Sequence, residues 1–344
     1  MPDGTTFVKS TAGLSLDLDN AWSYLKIRGD ERWREYPSYL GTLVPLALER
    51  LERAGQRITF FIVGEDAQRE ENREYLRAIV RAGHDIGNHS HRHESWMHQY
   101  TREEVEEELS HAERAIQAAT GIRPRGFRGP GFAISPTILE VLGERCYRYD
   151  ASTLPTFIGP IARAYYFRRS RLSAEQRRER GTLFGGWYDG LLPNKPHARG
   201  CIMELPVTVM PGLRTPFHVS YLLYLASYSR GAALAYFRAA LSLCAVTKTA
   251  PSLLLHPLDF VGAGEAAGLE FFPGMQLSGE FKRTFLDDVL REYQRTFEVV
   301  AMDEFASWHG ERSEQSERGR SISAKLCAGP STSVLRSYAQ DEKR

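Results

Sequence analysis

The sequence predicts an α/β fold in which parallel strands alternate with helical crossovers. Short apolar runs, such as "LSLDLD" at 14–19 and "ITFFIV" at 58–63, alternate with longer segments of helical periodicity. The 344-residue chain contains 42% hydrophobic residues, which is enough for one large core or two smaller ones. Repeated strand and helix units form either a doubly wound sheet or a closed barrel, and the periodicity alone favours neither.

Further strands are predicted from runs that follow along the chain. A third strand leads into "HDIGNHSHRHES" at 84–95, and "RGFRG" forms a short fourth strand. Later strands are predicted from "YRYDAS", "CIMELPVTV", "SLLLHP" and "EVVAM".

Helices are predicted between these strands by periodicity and end signals. Thr101 with Glu104 forms a capping box, and Gly121 ends the helix that follows. Other helices are predicted around 39–53, from 69 to 81, from Ser135 and Pro136 onward, and over 281–295.

Two segments depart from this alternation. Residues at about 155–200 lack a clean period, so we interpret them as an insertion over one end of the sheet. Residues 313–344 are rich in serine and charge, which predicts a disordered tail after a domain at 1–312.

Composition excludes several classes of protein. A net charge of +1 provides no general attraction for nucleic acid, and the four cysteines form no CxxC pair, which favours reduced thiols. The N-terminus lacks a basic segment followed by an apolar one, and no uninterrupted apolar stretch is long enough to span a membrane. We therefore expect a cytoplasmic protein.

Two carboxylates stand at the end of the first predicted strand. Since side chains alternate along a strand, Asp17 and Asp19 project to the same face. Such a pair is costly unless the two groups share a cation or a proton, although solvated side chains at a strand end explain it equally well.

The histidine stretch at 84–95 offers a ligand pair. His89 and His93 lie four residues apart, which on a helical turn places both imidazoles on one side. Two histidines and one carboxylate, here Asp19, are a common ligand set for catalytic zinc. His84 and His91 are then framework or surface residues. A polar turn without a ligand is the alternative for the stretch.

Two later strand ends carry further polar groups. Arg128 in "FRGPGF" precedes a glycine-proline turn, and it can hold a carboxylate or simply lie at the surface. His256 follows the apolar run "LLL", where a buried core histidine is the alternative to a catalytic one. Parallel α/β folds place their catalytic groups at such ends.

Taken in order, these residues resemble the motifs of the polysaccharide deacetylases, the NodB-homology group or carbohydrate esterase family 4, over roughly residues 14–302. The first motif, with a base and a metal aspartate, is matched by Asp17 and Asp19 in a D-x-D form found in a subset of members. The second, H-[ST]-x-x-H, is matched by His89, Ser90 and His93.

The remaining motifs match less evenly. Arg128 and Pro130 match R-x-P, with Gly131 where an aromatic residue is usual. The fourth motif is matched only by Asp150 in "YDASTL", and its usual tryptophan is missing. The fifth motif, L-x-H, is matched by Leu254 and His256.

The resemblance implies a distorted (β/α) barrel of seven or eight strands and metal-dependent removal of an N-acyl group from an amino sugar. Asp19, His89 and His93 would hold zinc, or else cobalt, nickel or manganese. Asp17 would be the base and His256 the acid.

Supporting roles follow from the same resemblance. Arg128 would orient Asp17, and a backbone amide near Gly131 would stabilise the oxyanion. Leu254 is a supporting residue, and either Asp150 or Asp259 would raise the pKa of His256.

The sequence does not decide which substrate is used or whether the protein contacts a membrane. Seven arginines between 163 and 180 form a solvated face, a phosphate site or a contact with an anionic membrane. The apolar stretch at 217–244 is two core helices or a surface for a lipid tail, as in a relative that deformylates a lipid-linked amino sugar. Hydrolysis of a cyclic imide or allantoin-like ring is an alternative that fits a similar pocket. A second alternative is non-catalytic carbohydrate binding on a decayed barrel, which predicts missing base, ligand or acid residues, and none is missing here.

Overall fold

Nine strands form a single curled sheet in the computed structural model, which describes residues 9–311. The strands are β1 (Thr11–Leu18), β2 (Thr59–Ile62), β3 (Asp85–Asn88), β4 (Gly126–Phe127), β5 (Tyr149–Asp150), β6 (His197–Arg199), β7 (Ile202–Glu204), β8 (Ser252–Leu255) and β9 (Glu298–Val300). Their order is β6-β7-β5-β4-β3-β2-β1-β8, with β9 paired to the start of β1. All pairs are parallel except β6 with β7. The predicted distorted (β/α) barrel is confirmed.

The chain after β7 brings the two sides of the sheet together. The amide of Leu205 donates to the carbonyl of Asp150 at 2.8 Å, and the amide of Val207 donates to that of Thr153 at 2.8 Å. The next amide, of Thr208, donates to the carbonyl of Ser252 on β8 at 3.1 Å. Residues 205–208 therefore connect β5 to β8 and curl the sheet into a barrel.

Residues 302–311, after β9, are helical. Eleven α-helices precede β9 in the described residues. They are α1 (Ala21–Arg28), α2 (Leu40–Arg53), α3 (Gly64–Gln68), α4 (Glu70–Arg81), α5 (Arg102–Thr120), α6 (Pro136–Glu144), α7 (Gly159–Arg169), α8 (Ala174–Glu179), α9 (Val219–Ala226), α10 (Arg230–Val246) and α11 (Gly279–Thr296). The predicted capping box of Thr101 and Glu104 begins α5, and Gly121 ends it with a left-handed φ of 79°. Ser135 caps α6 by accepting from the amide of Ile138, also as predicted.

The apolar stretch at 217–244 forms α9 and α10. Leu222, Phe237 and Leu241 are buried in the main hydrophobic core, together with Tyr293 of α11. Core packing therefore accounts for this stretch. Between residues 9 and 311, no helix has the length and apolar character needed to cross a membrane.

The segment predicted as an insertion contains α7, α8 and β6, and it lies against the C-terminal end of α1. The amide of Arg171 donates to the carbonyl of Arg28 at 2.9 Å, and the Arg180 guanidinium donates to the carbonyl of Ile27 at 2.6 Å. Because α1 follows β1 directly, these bonds hold the segment over the carboxyl end of the sheet. The predicted tail at 313–344 lies outside the described residues, as does Cys327, while Cys146, Cys201 and Cys244 are free thiols.

Candidate metal and catalytic site

Asp17 and Asp19 face the same imidazole at the carboxyl end of β1. The Nε2 atom of His89 lies 3.2 Å from Asp19 Oδ1 and 3.9 Å from Asp17 Oδ2. The exposed fractions of the two aspartates are 4% and 6%. The expectation that both carboxylates project to one side is confirmed, whereas solvation at a strand end does not describe them.

His89 and His93 lie on a tight loop, so the interpretation of their spacing as a helical turn is wrong. Strand β3 ends at Asn88, and Ser90 and His93 have positive φ angles of 64° and 53°. These left-handed residues turn the chain, and the two imidazole rings still approach with centroids 5.1 Å apart. The Ser90 hydroxyl accepts from the His93 amide at 3.1 Å, which holds the turn.

A carboxylate of the buried Glu108 fixes the middle of this loop. Its Oε1 accepts from the amides of His91 and Arg92 at 2.9 and 2.6 Å. The His91 side chain is buried and faces Glu65, with Nε2 3.7 Å from Glu65 Oε2. His84 accepts through Nδ1 from the amide of Ile58 at 3.2 Å. Both spare histidines therefore belong to the framework, as the sequence predicted.

Three ligand atoms from Asp19, His89 and His93 converge within 4.8 Å of one another. Asp19 Oδ1 lies 2.9 Å from His93 Nε2, while His89 Nδ1 donates to the carbonyl of Arg128 at 2.6 Å. With its proton on Nδ1, neutral His89 directs the lone pair of Nε2 at a carboxylate. Two acceptors in contact require a proton or a metal cation between them, so the three residues fit a divalent metal ion.

The pKa shifts of Asp19 and His89 also favour a positive charge between these side chains. Burial raises the pKa of Asp19, but the charge of His93 and hydrogen bonds from both histidines outweigh burial and hold this pKa well below its ordinary value. Burial lowers the pKa of His89, yet Asp17 and Asp19 raise it above its ordinary value. A buried positive charge is thus stabilised where the three ligand atoms meet.

Arg128 joins the end of β4 to the carboxylates. Its Nη1 donates to Asp17 Oδ1 and to Ser15 Oγ, both at 2.8 Å, and its Nε donates to the carbonyl of Ala151 at 2.9 Å. The guanidinium is fully buried and lies over the ring of Phe61 at 4.4 Å. A surface arginine is therefore excluded.

Ser15 was not identified from the sequence. Its position two residues before Asp17, on the same face of β1, is the signal that would have found it.

His256 follows β8 and is oriented by Ser220 and Asp259. The Ser220 hydroxyl donates to Asp259 Oδ1 at 2.7 Å, so its oxygen accepts from His256 Nδ1 at 3.1 Å. Asp259 Oδ2 also accepts from the backbone amide of His256 at 2.7 Å. Of the two carboxylates that the sequence offered as partners of His256, Asp259 makes these bonds. Ser220 was missed because it lies 36 residues earlier, on α9.

Asp150 occupies a different environment. It is fully buried at the end of β5, and it accepts from the amide and the hydroxyl of Ser152 at 3.0 and 2.6 Å. Its register partner on β7 is Glu204, also fully buried. Burial raises the pKa values of both carboxyl groups, so the pair favours a shared proton.

Gly131 and Leu254 are fixed by packing. Gly131 has a φ of 59°, and a Cβ atom there would lie 2.8 Å from the Cβ of Ser95. The tight contact and the left-handed backbone together explain a glycine where an aromatic residue is usual. Leu254 is fully buried in β8, opposite Ser15 on β1.

Three arginines of residues 155–200 make polar contacts within the fold. Arg180 is buried and donates to the carbonyl of Ile27 in α1, and Arg163 donates from Nη1 to the carbonyls of Leu183 and Gly185, both at 2.9 Å. Arg171 lies 3.4 Å from an oxygen of Asp30. Several of these arginines thus stabilise the segment itself.

Comparison with known proteins gives three results. Residues 36–149 match the polysaccharide deacetylase family model. A 107-residue stretch is 26% identical to the uncharacterized protein YlxY of Bacillus subtilis, and it spans 31% of this chain and 31% of that relative. The structure of a putative polysaccharide deacetylase from Mycobacterium smegmatis superposes with a TM-score of 0.58 at 18% identity, covering 91% of this chain and 93% of that one. The chain is therefore similar to the polysaccharide deacetylases over residues 36–149, as its motifs predicted, and it shares the fold of the mycobacterial protein.

Proposed function

We propose that this protein is a metal-dependent hydrolase that removes an N-acyl group, foremost an N-acetyl group, from an amino sugar. The observation that supports this proposal most directly is the convergence of Asp19, His89 and His93 beside a second buried carboxylate, Asp17, held by Arg128. A site for a structural metal needs no free carboxylate at its edge, whereas hydrolysis needs a base there.

Asp19, His89 and His93 would hold the divalent ion, with zinc as the first choice and cobalt, nickel or manganese as the next ones. When bound, this ion supplies Lewis-acid chemistry by polarising a water molecule and the amide carbonyl. The Arg128 carbonyl that accepts from His89 Nδ1 fixes the tautomer in which Nε2 is the ligand atom.

The other side chains would move protons. Asp17 takes a proton from the attacking water as the new C–O bond forms, and Arg128 orients this carboxylate. His256 donates a proton to the nitrogen as the C–N bond breaks, giving a free amine and a carboxylate such as acetate. Ser220 and Asp259 orient His256 through Nδ1, which leaves Nε2 for this transfer. A backbone amide near Gly131 would donate to the developing oxyanion.

Acetate release with and without metal tests the proposal. The protein is stripped with a chelator, reloaded with zinc, cobalt, nickel or manganese, and offered N-acetylated oligosaccharides, nucleotide sugars and lipid-linked sugars. We expect acetate release that depends on the reloaded metal.

A different product would identify a different activity. Formate from a formylated, lipid-linked amino sugar would identify a deformylase, and opening of a cyclic imide or allantoin-like ring releases neither acid. Sugar binding without any release would contradict the proposal and indicate a carbohydrate-binding protein.

A further inference from the structure

A cavity of about 360 Å³ adjoins the loops that carry the candidate site. Its near wall includes Ser95, Gly131 and Ser152, which follow His93, Arg128 and Asp150 by two, three and two residues. These loops leave the carboxyl ends of β3, β4 and β5, where parallel α/β folds place their substrates. The cavity thus lies on the β3–β5 side of the metal ligands, while His256 comes from β8.

The far wall is formed by residues 181–186 with Asp189 and Leu192, all within the segment at 155–200. Hydrogen bonds hold this wall in place. Arg163 bonds to the carbonyls of Leu183 and Gly185, and Thr182 Oγ1 lies 2.6 Å from His98 Nε2. Leu183 is only 2% exposed. The cavity is therefore bounded on this side by a packed wall.

The charges that line the cavity do not suit a phosphorylated ligand. Among its lining residues, Arg163 is balanced by Asp189, and Arg163 Nη1 and Asp189 Oδ2 already bind backbone groups of the wall. The exposed arginines of α7 and α8 do not line it. Recognition of a diphosphate calls for several convergent cationic donors.

Neutral sugar chemistry suits these walls better. Hydroxyl groups of Ser95, Thr153 and Thr182 stand beside the apolar side chains of Phe132 and Leu154. The volume is near the lower end of the range for small-molecule sites, roughly 300–1,000 Å³. Resting on the proposed function, we infer that the substrate is an uncharged N-acylated amino sugar of one or two units, and that the wall at 181–192 prevents a polymer from passing through the site.

Binding to the Asp17→Asn variant tests this inference separately from turnover. Titration calorimetry with zinc-loaded protein compares N-acetylglucosamine, its β-1,4 disaccharide and tetrasaccharide, and UDP-N-acetylglucosamine. We expect the Kd of the disaccharide to lie within about 3-fold of that of the tetrasaccharide, and the diphosphate to add no affinity. Binding of the tetrasaccharide or of the nucleotide sugar at least 10-fold tighter than that of the disaccharide would overturn the inference.

A filled cavity provides the matched comparison. Leu154→Trp places a large ring in the cavity and is expected to raise the disaccharide Kd at least 10-fold, whereas Leu213→Trp, at a residue 67% exposed and outside the cavity, is expected to leave it unchanged. If Leu154→Trp does not fold, Leu192→Trp at the rim of the cavity replaces it, with the same expectation. Unchanged affinity in a folded cavity variant would contradict the inference.

The two proposals fail in different ways. Wild-type protein that binds the disaccharide and releases no acetate overturns the proposed function and leaves the cavity assignment standing. Metal-dependent acetate release from the tetrasaccharide or polymer alone overturns the inference and leaves the proposed function standing.

Discussion

Arg128 donates from Nη1 to Asp17 Oδ1 at 2.8 Å, and both side chains are buried. The second oxygen of Asp17, Oδ2, faces His89 Nε2 at a distance of 3.9 Å. Because Ser15 and the Ala151 carbonyl fix the same guanidinium, the carboxylate has little freedom to turn. This relationship makes Asp17 the proposed base and keeps it apart from the metal ligands.

Replacing Arg128 by lysine should separate orientation from charge. A single ammonium group cannot reproduce the fork that reaches Ser15, Asp17 and the Ala151 carbonyl at once. We expect Arg128→Lys to lower kcat by about 10- to 100-fold while zinc binding is retained, since the loss of one charged hydrogen bond costs about 1.5–3 kcal/mol. Full activity in this variant would show that Arg128 does not orient the base.

Removing the hydrogen bond that orients His256 should lower kcat less than the Arg128 substitution does. Ser220→Ala removes the acceptor of Nδ1, and we expect kcat to fall about 3- to 10-fold with KM unchanged, as for the loss of one hydrogen bond. Ser220→Thr should restore the rate. Ser227→Ala, at the other end of α9 where the hydroxyl bonds to the Tyr224 carbonyl, is the matched control. An equal loss of rate in the control would point to helix stability instead.

Substitutions of His93 and His91, two histidines of the same loop, should affect zinc affinity differently. His93→Ala removes an atom that lies 2.9 Å from Asp19 Oδ1, so we expect at least about a 100-fold loss of zinc affinity, beyond the 10- to 100-fold typical of residues that only support a ligand. His91→Gln changes a side chain that faces Glu65 and should bind zinc like the wild type. Competitive titration against a chelating dye measures both. Equal affinities would contradict the ligand assignment.

His84 predicts a loss of stability in acid. Burial lowers the pKa of His84 to about 4, from an ordinary value of 6.5. Between these two values the unfolded chain binds the proton and the folded protein does not, so the free energy of unfolding decreases as pH falls from 6.5 to 4.

A conservative variant isolates this proton. In His84→Asn the amide oxygen can accept from Ile58 in place of Nδ1, so the pH slope should decrease by up to about 1.4 kcal/mol per pH unit. Urea denaturation at pH 4.5, 5.5 and 7 measures it. An unchanged slope would show that His84 does not couple pH to folding.

The sequence predicted the site residues whose positions depend only on the alternation of side chains along a strand or on the place where a strand ends. Asp17 and Asp19 share a face because side chains alternate along β1, and His89 and Arg128 meet because parallel strands end at one edge. The loop of His89 and His93 could not be predicted. A spacing of four is compatible with a helical turn, and the left-handed φ angles of Ser90 and His93 arise from hydrogen bonds within the folded loop.

Contacts between residues far apart in the chain could not be predicted from the sequence either. Asp150 and Asp259 both follow strands, and only the position of α9 and its Ser220 decides which carboxylate orients His256. The wall at 181–192 has no clean periodicity, so its place beside Gly131 depends on contacts such as those of Arg163 and Arg180. Such contacts are properties of the tertiary fold.

The most direct test of the proposed chemistry is acetate release by Asp17→Asn, compared with wild type at equal zinc content. The variant keeps the size and the hydrogen-bonding oxygen of the side chain while removing its basicity. We predict full zinc occupancy with kcat reduced by about 10²- to 10⁴-fold, the usual contribution of a general base. Acetate release at the wild-type rate from the zinc-loaded variant would contradict the account.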